Sequence, residues 1–234
     1  LSENSEFNIA ILEAGKKDNN FWIKIPIGYY KNFKNKDINW NYYTEPDYGL
    51  NGRKCYWPQG KVVGGCSSIN GLVHVRGKAN DYEDWEKKYG NKGWGWEDVL
   101  PYFNKSEKII NVNNNYYGTN GPLIVSNVIN NYDLCDSFLS AAEELGVNNL
   151  SKDYFDTENR GYFKANVNGR LRCSASNAYL NPKLKQNNID LFCNSHVLKI
   201  EFENNIAKSV IFINENIFYR IKAKKEIVVS AGAI

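Results

Sequence analysis

The segment Gln59-Gly60-Lys61-Val62-Val63-Gly64-Gly65-Cys66-Ser67-Ser68-Ile69-Asn70-Gly71 constrains this chain more than any other. Glycine has no Cβ, so Gly60, Gly64 and Gly65 permit tight turns and let backbone N–H groups come close to an anion. Ser67 or Ser68 is placed to cap a helix that follows. The run then leads into Leu72-Val73-His74-Val75-Arg76-Gly77.

Upstream, Phe7-Asn8-Ile9-Ala10-Ile11-Leu12 is a short apolar run closed by Glu13-Ala14-Gly15, the pattern of a parallel strand with an acid at its carboxyl end. In a dinucleotide-binding unit such an acid hydrogen-bonds the ribose hydroxyls, but the Gly-x-Gly-x-x-Gly that normally precedes it is not present here. Taken alone, an acid closing a strand is more often only a solvated strand end, and that reading of Glu13 is the favoured one.

Composition narrows the classes. With 234 residues and 42% hydrophobic content, the chain has enough apolar matter for one large domain or two small ones. Lys+Arg at 29 against Asp+Glu at 26 gives a formal net charge of +3 with no cationic stripe, which argues against nucleic-acid binding. No apolar window reaches the roughly 20 residues that span a bilayer. The five Cys include no C-x-x-C pair and only two His accompany them, so neither a disulfide framework nor a metal site is indicated. The absence of Met, and ends that read as a helical turn and an interrupted strand, predict a piece cut from within a longer protein.

Between these anchors, residues 21–56 are aromatic and turn-rich without a sustained period and predict a long ordered loop with short strands. Amphipathic helices are predicted from Asp81 and from the Gly93-Trp94-Gly95-Trp96 turn, the second with acids in its first turn. A polar loop is predicted at 111–115, a strand at Leu123-Ile124-Val125, and a helix from Asp133 to Leu145 stopped by Gly146, followed by a short turn-rich stretch. The close reads as a β-meander: 190–192, 197–202, 209–213, 217–223 and 226–230, separated by Asn-rich turns. His196 is expected at the surface, and His74 as a packed or partly exposed side chain. Tyr162 and Phe163 are compatible with the substrate side or with a structural role.

The run from Gly60 to Gly77 resembles the first signature of the glucose-methanol-choline (GMC) family of flavoprotein oxidoreductases. So do Leu12-Glu13-Ala14-Gly15, Trp40-Asn41-Tyr42-Tyr43-Thr44-Glu45-Pro46, Leu100-Pro101-Tyr102-Phe103, Arg172-Cys173-Ser174-Ala175 and Val229-Ser230-Ala231-Gly232-Ala233-Ile234, in order. The resemblance is strongest to choline dehydrogenases and related alcohol dehydrogenases. It implies an α/β fold: an incomplete FAD-binding Rossmann-like domain from residues 1–106 and 173–234, the second segment with a β-meander. Part of a smaller α+β substrate-binding subdomain, residues 107–172, interrupts it.

The same resemblance assigns roles. Glu13 corresponds to the acid on the adenosine ribose of FAD. Gly60, Val63, Gly64, Gly65 and Ser67 correspond to the loop on the pyrophosphate, and Asn70, Gly71, Leu72 and Val73 to the stretch beside the flavin ring. Trp40 falls on the family's flavin side, the Val197 backbone at adenine, and Ala231 in a second turn near the nucleotide. Ile69 stands where some members carry a His joined to the flavin, which implies non-covalent FAD. Cys66 stands where Ser or Gly is usual. The implied reaction is oxidation of a primary alcohol to the aldehyde, with a quinone, another carrier or oxygen as electron acceptor. The implied location is cytoplasmic or peripheral to the inner membrane. The family's base is a His paired with a second His or Asn, and no residue here corresponds to it, so these residues by themselves are expected to be inactive. The family also contains hydroxynitrile lyases that keep FAD without redox turnover, the alternative reading.

Overall fold

A computed structural model describes residues 1–111, 116–127, 132–149 and 159–234. The polar loop expected at 111–115 and the turn-rich stretch expected after Gly146 lie largely outside these residues. The chain forms two compact units: Leu1–Ile23, Gly28–Ile69 and Leu180–Ile234 in one, Lys24–Ile27 and Asn70–Tyr179 in the other. These divisions fall at different positions from the segment boundaries expected at 106 and 172.

In the first unit, Ile9–Leu12 pairs in parallel with Ile189–Phe192, residue for residue from Ile9↔Ile189 to Leu12↔Phe192. The apolar run read from the sequence is therefore a parallel strand. Its partner was expected to open the meander and instead leaves it, because a parallel strand needs a distant partner rather than a hairpin neighbour. The meander proper is His196–Glu203, Ile206–Asn214 and Ile217–Lys222, all antiparallel. Its two-residue turns, Asn204-Asn205 and Glu215-Asn216, hold positive φ at both positions. That conformation matches the twist of tight hairpins and explains why Asn recurs there.

The strand expected at 226–230 does not form. Those residues have no strand neighbour among the described residues, and Val228 and Val229 are exposed. β-branched composition favours a strand only where a ladder partner exists. Residues 21–56 hold the expected short strands and, beside them, local helical structure. They contain short helical turns at Phe21–Lys24, Pro26–Gly28, Tyr29–Asn32 and Tyr48–Leu50, besides the hairpin Tyr42–Tyr43 with Tyr56–Trp57. Ile23, Ile38, Val62 and Ile69 form the buried apolar cluster of this unit.

The second unit is built on a four-stranded sheet, ordered Val73–His74, Lys164–Ala165, Leu123–Asn127, Glu107–Ile109. The helices Ala79–Lys87 and Trp96–Ser106 fall where periodicity and acidic first turns place them. Between them Tyr82, Trp85, Trp94, Trp96 and Phe103 form an aromatic cluster in which Tyr82 meets Trp85 and Phe103 edge-on and the remaining pairs are tilted. The helix Asp133–Glu144 ends just before Gly146, whose φ of 82° closes it.

Candidate functional site

The first unit gathers most of the predicted residues. Glu13 follows the first strand, and its peptide group is fixed on both sides: its N–H donates to Phe192 O, and its C=O accepts from Ser195 N–H. Its carboxylate accepts the Gly15 N–H at 2.7 Å. Burial raises the Glu13 carboxyl above its ordinary range, against the opposing pull of the Gly15 N–H and the Lys61 charge. Asn194 N–H donates to Gly15 O, so the strand end is stitched to the turn that precedes Val197.

The glycine run packs on that strand end. Lys16 and Val62 form a parallel bridge, and Val63 N–H donates to Lys16 O at 3.0 Å. A Cβ on Gly15 would overlap the Lys61 carbonyl, and one on Gly60 would overlap the Gly65 backbone, so both positions are glycine for chain-on-chain contact. Gly65 differs. Its φ is 55°, and a Cβ there would meet no atom of the described residues within 4 Å. Gly64 is also left-handed at 87°. Gly65 is thus a turn residue with open space beside it.

No helix follows for Ser67 or Ser68 to cap. Gly65–Ser68 is a single 3₁₀ turn in which Ser67 Oγ donates to Gly64 O at 2.6 Å and Ser68 Oγ to Val63 O at 2.8 Å. The hydroxyls brace the turn against its own carbonyls, a use that sequence alone does not distinguish from capping. Cys66 Sγ accepts the Gly60 N–H at 3.4 Å. Ile69 lies in the apolar cluster at 2% exposure.

Trp40 lies beside Lys61, whose ammonium sits 4.6 Å from its ring centroid, and edge-on to His196 at 5.3 Å. His196 is exposed as expected, yet this ring contact brings it beside a candidate site residue. Val197, next to it, pairs with Phe212, and a register shift follows between Val197 and Lys199. Ala231 O accepts from Gln59 Nε2 at 3.3 Å. Gln59 Oε1 is buried and has no hydrogen-bond partner among the described residues. Sequence reasoning passed over Gln59, whose only signal was its place immediately before Gly60.

The second unit holds Asn70, Gly71, Leu72 and Val73. Asn70 Oδ1 accepts the Leu72 N–H at 3.1 Å, and Val73 pairs with Ala165. His74 Nε2 is 2.9 Å from Glu107 Oε2, so this His is packed against a buried carboxylate. Arg76 joins the same carboxylate through both its Nε and Nη2 atoms and also reaches Tyr116 O and Asn104 Oδ1. Burial alone would raise Glu107, but hydrogen bonds from His74 and Arg76 hold it below the ordinary carboxylate range. Tyr162 donates to Asp136 Oδ1 at 2.6 Å, and this bond pushes its phenol up to about 12. Cys173 and Cys193 are pushed up by burial, which disfavours the reactive thiolate.

Among the described residues, no helix is long and apolar enough to cross a membrane. A strand-end carboxylate, a left-handed glycine turn open on one side and an orphaned buried amide oxygen fit a nucleotide cofactor, with hydroxyl, anionic and polar groups to meet them.

The family described as GMC oxidoreductase matches residues 11–234, and the chain belongs to it. It is 36% identical to human choline dehydrogenase, mitochondrial, covering 100% of this chain and 41% of that protein. It is 33% identical to alcohol dehydrogenase [acceptor] of Pseudomonas putida, over 100% of this chain and 43% of the relative. Among solved structures, an FAD-dependent oxidoreductase from Chaetomium thermophilum superposes with a TM-score of 0.86 at 26% identity, covering 96% of this chain and 41% of the other. The mixed α/β fold is that of FAD-binding GMC oxidoreductases, and the chain spans about two fifths of the length of these relatives.

Proposed function

We propose that this chain forms the FAD-binding part of an oxidoreductase that converts a primary alcohol, choline or a simple alcohol, to its aldehyde. The observation that carries the reading is the family match across residues 11–234. FAD, when bound, supplies a hydride acceptor at its flavin N5. The part played by this chain is to bind and orient. The Glu13 carboxylate accepts ribose hydroxyls, and Gly60, Val63, Gly64, Gly65 and Ser67 present backbone to the pyrophosphate. Asn70, Gly71, Leu72 and Val73 flank the flavin ring, while the Val197 backbone and the Ala231 turn meet the nucleotide. Trp40 belongs to the same set on the flavin side, with Lys61 and His196 against its ring.

Ile69 offers a saturated side chain with no lone pair, so the cofactor is held without a covalent bond, and acid precipitation of the full-length protein leaves the flavin in the supernatant. The similar proteins include both oxygen-dependent choline dehydrogenases and an acceptor-type alcohol dehydrogenase, so the electron acceptor is decided by the assay and not by similarity. The test is anaerobic titration of the full-length protein with choline and with simple alcohols. Bleaching of the visible flavin band supports the redox reading, and oxygen consumption on turnover would replace the dehydrogenase with an oxidase. A flavin-loaded protein that no alcohol bleaches would contradict it in favour of a lyase or non-redox flavoprotein.

A further inference from the structure

The stretch Asn70–Val73 contains a backbone outlier. Leu72 has a φ of 66°, in the left-handed region that a bulky side chain avoids. Its neighbour Gly71, the residue suited to that conformation, is not among the positive-φ glycines. Something other than intrinsic preference therefore holds Leu72 where it is, and such outliers persist only where the surroundings over-determine them.

The surroundings are one hairpin. Val167–Asn168 pairs with Leu171–Arg172 across a turn at Gly169, and the residues at its two ends both reach the outlier. From one end, Asn166 N–H donates to Leu72 O at 2.9 Å. From the other, Arg172 Nη1 donates to Asn70 Oδ1 at 2.9 Å, the same oxygen that accepts the Leu72 N–H. Cys173 N–H closes the base of the hairpin on Asn166 O. Arg172 is buried, and burial pulls its guanidinium down only to about 10, so it stays charged at neutral pH. A charged donor on Asn70 fixes the rotamer that makes the amide an acceptor for Leu72.

We propose that Arg172 is a positioning residue: through Asn70 it holds Leu72 left-handed and so sets the backbone course of the stretch assigned to the flavin ring. The inference rests on that assignment. Neither the signature run nor the family match singles out this link, since Arg172 lies 102 positions from Asn70.

The test uses the full-length protein, as wild type, Arg172→Gln, Arg172→Lys and Asn70→Ala, with two readouts. One is amide hydrogen exchange at Leu72 in the flavin-stripped protein, and the other is the visible circular dichroism of bound flavin. Arg172→Gln should speed Leu72 exchange by roughly ten- to a hundredfold, the range of a hydrogen bond to a charged group, with the sheet amides unchanged. It should also alter the flavin dichroism, and Arg172→Lys should restore most of both. Asn70→Ala, which leaves Arg172 in place, should give the same local loss. Unchanged exchange in Asn70→Ala overturns the link even if Arg172→Gln fails to fold. So does a rise spread evenly through Leu123–Asn127 and Lys164–Ala165. A wild-type protein that holds no flavin overturns the functional reading itself. A flavin-loaded wild type with variants of identical dichroism overturns only the inference.

Discussion

The glycine turn of the first unit and the charged brace of the second solve the same problem, fixing a loop, by opposite means. Gly60, Gly64 and Gly65 do it with backbone: side chains are removed until the chain can cross itself at Gly15 and Gly60, and two hydroxyls tie the turn to its own carbonyls. The Glu107–Arg76–His74 cluster does it with charge: a carboxylate at 1% exposure is surrounded by a guanidinium and an imidazole, and by the Gly118 N–H at 3.3 Å. A backbone-built turn leaves room for a ligand beside Gly65. A buried ion cluster fills its own space and leaves none, so the first region reads as a binding device and the second as a brace.

The largest effect should come from breaking the brace. Glu107→Ala leaves a buried guanidinium without its carboxylate and should cost about 3 to 5 kcal/mol, measured by denaturant unfolding of the full-length protein. A loss under about 1 kcal/mol would mean that solvent reaches the cluster. Its pH dependence follows from sign. The folded-state Glu107 lies below its unfolded value of about 4.3, so its contribution is present above that pH and is lost as pH falls through the folded value. The wild type should therefore lose stability on acidification in a window below about pH 4.3 that Glu107→Gln does not show.

Gly15→Ala sharpens the contrast from the other side. The new Cβ meets the Lys61 carbonyl, a backbone group that cannot swing away, and about 3 kcal/mol of destabilisation is expected. Thermal unfolding of the flavin-free protein checks this, and an unchanged midpoint would show that the crossing is loose. Smaller still is Glu13→Ala. Loss of a carboxylate that accepts ribose hydroxyls should weaken FAD retention by about 1.5 to 3 kcal/mol while leaving the fold intact. Flavin content unchanged after dialysis would remove Glu13 from the site.

These differences also mark what the sequence could reveal. The strand Ile9–Leu12, the helices Ala79–Lys87 and Trp96–Ser106 and the Asn turns of the meander were legible because each rests on local chemistry: apolar runs, acidic first turns, residues that tolerate positive φ. The glycine turn was legible for the same reason. The pairing of Ile9–Leu12 with Ile189–Phe192 was not, since a parallel partner is set by topology, and 226–230 misled because its composition fits a strand whether or not a partner is present. Glu107 carried no signal, and Arg172 and Gln59, though part of the quoted stretches, had no role to show, because the meaning of all three lies in partners tens of positions away. Serines 67 and 68 were seen, but a hydroxyl that donates and one that accepts are written with the same letter.

The central claim is that the space beside Gly65 belongs to the cofactor. Gly65→Val tests it most directly, because a Cβ at this position meets no atom of the described residues within 4 Å and the backbone burden on the apoprotein is the φ of 55°. The measurement is the flavin absorbance of purified full-length protein beside its thermal unfolding. The account predicts a folded, colourless variant next to a yellow wild type. A yellow, fully loaded Gly65→Val protein would contradict it.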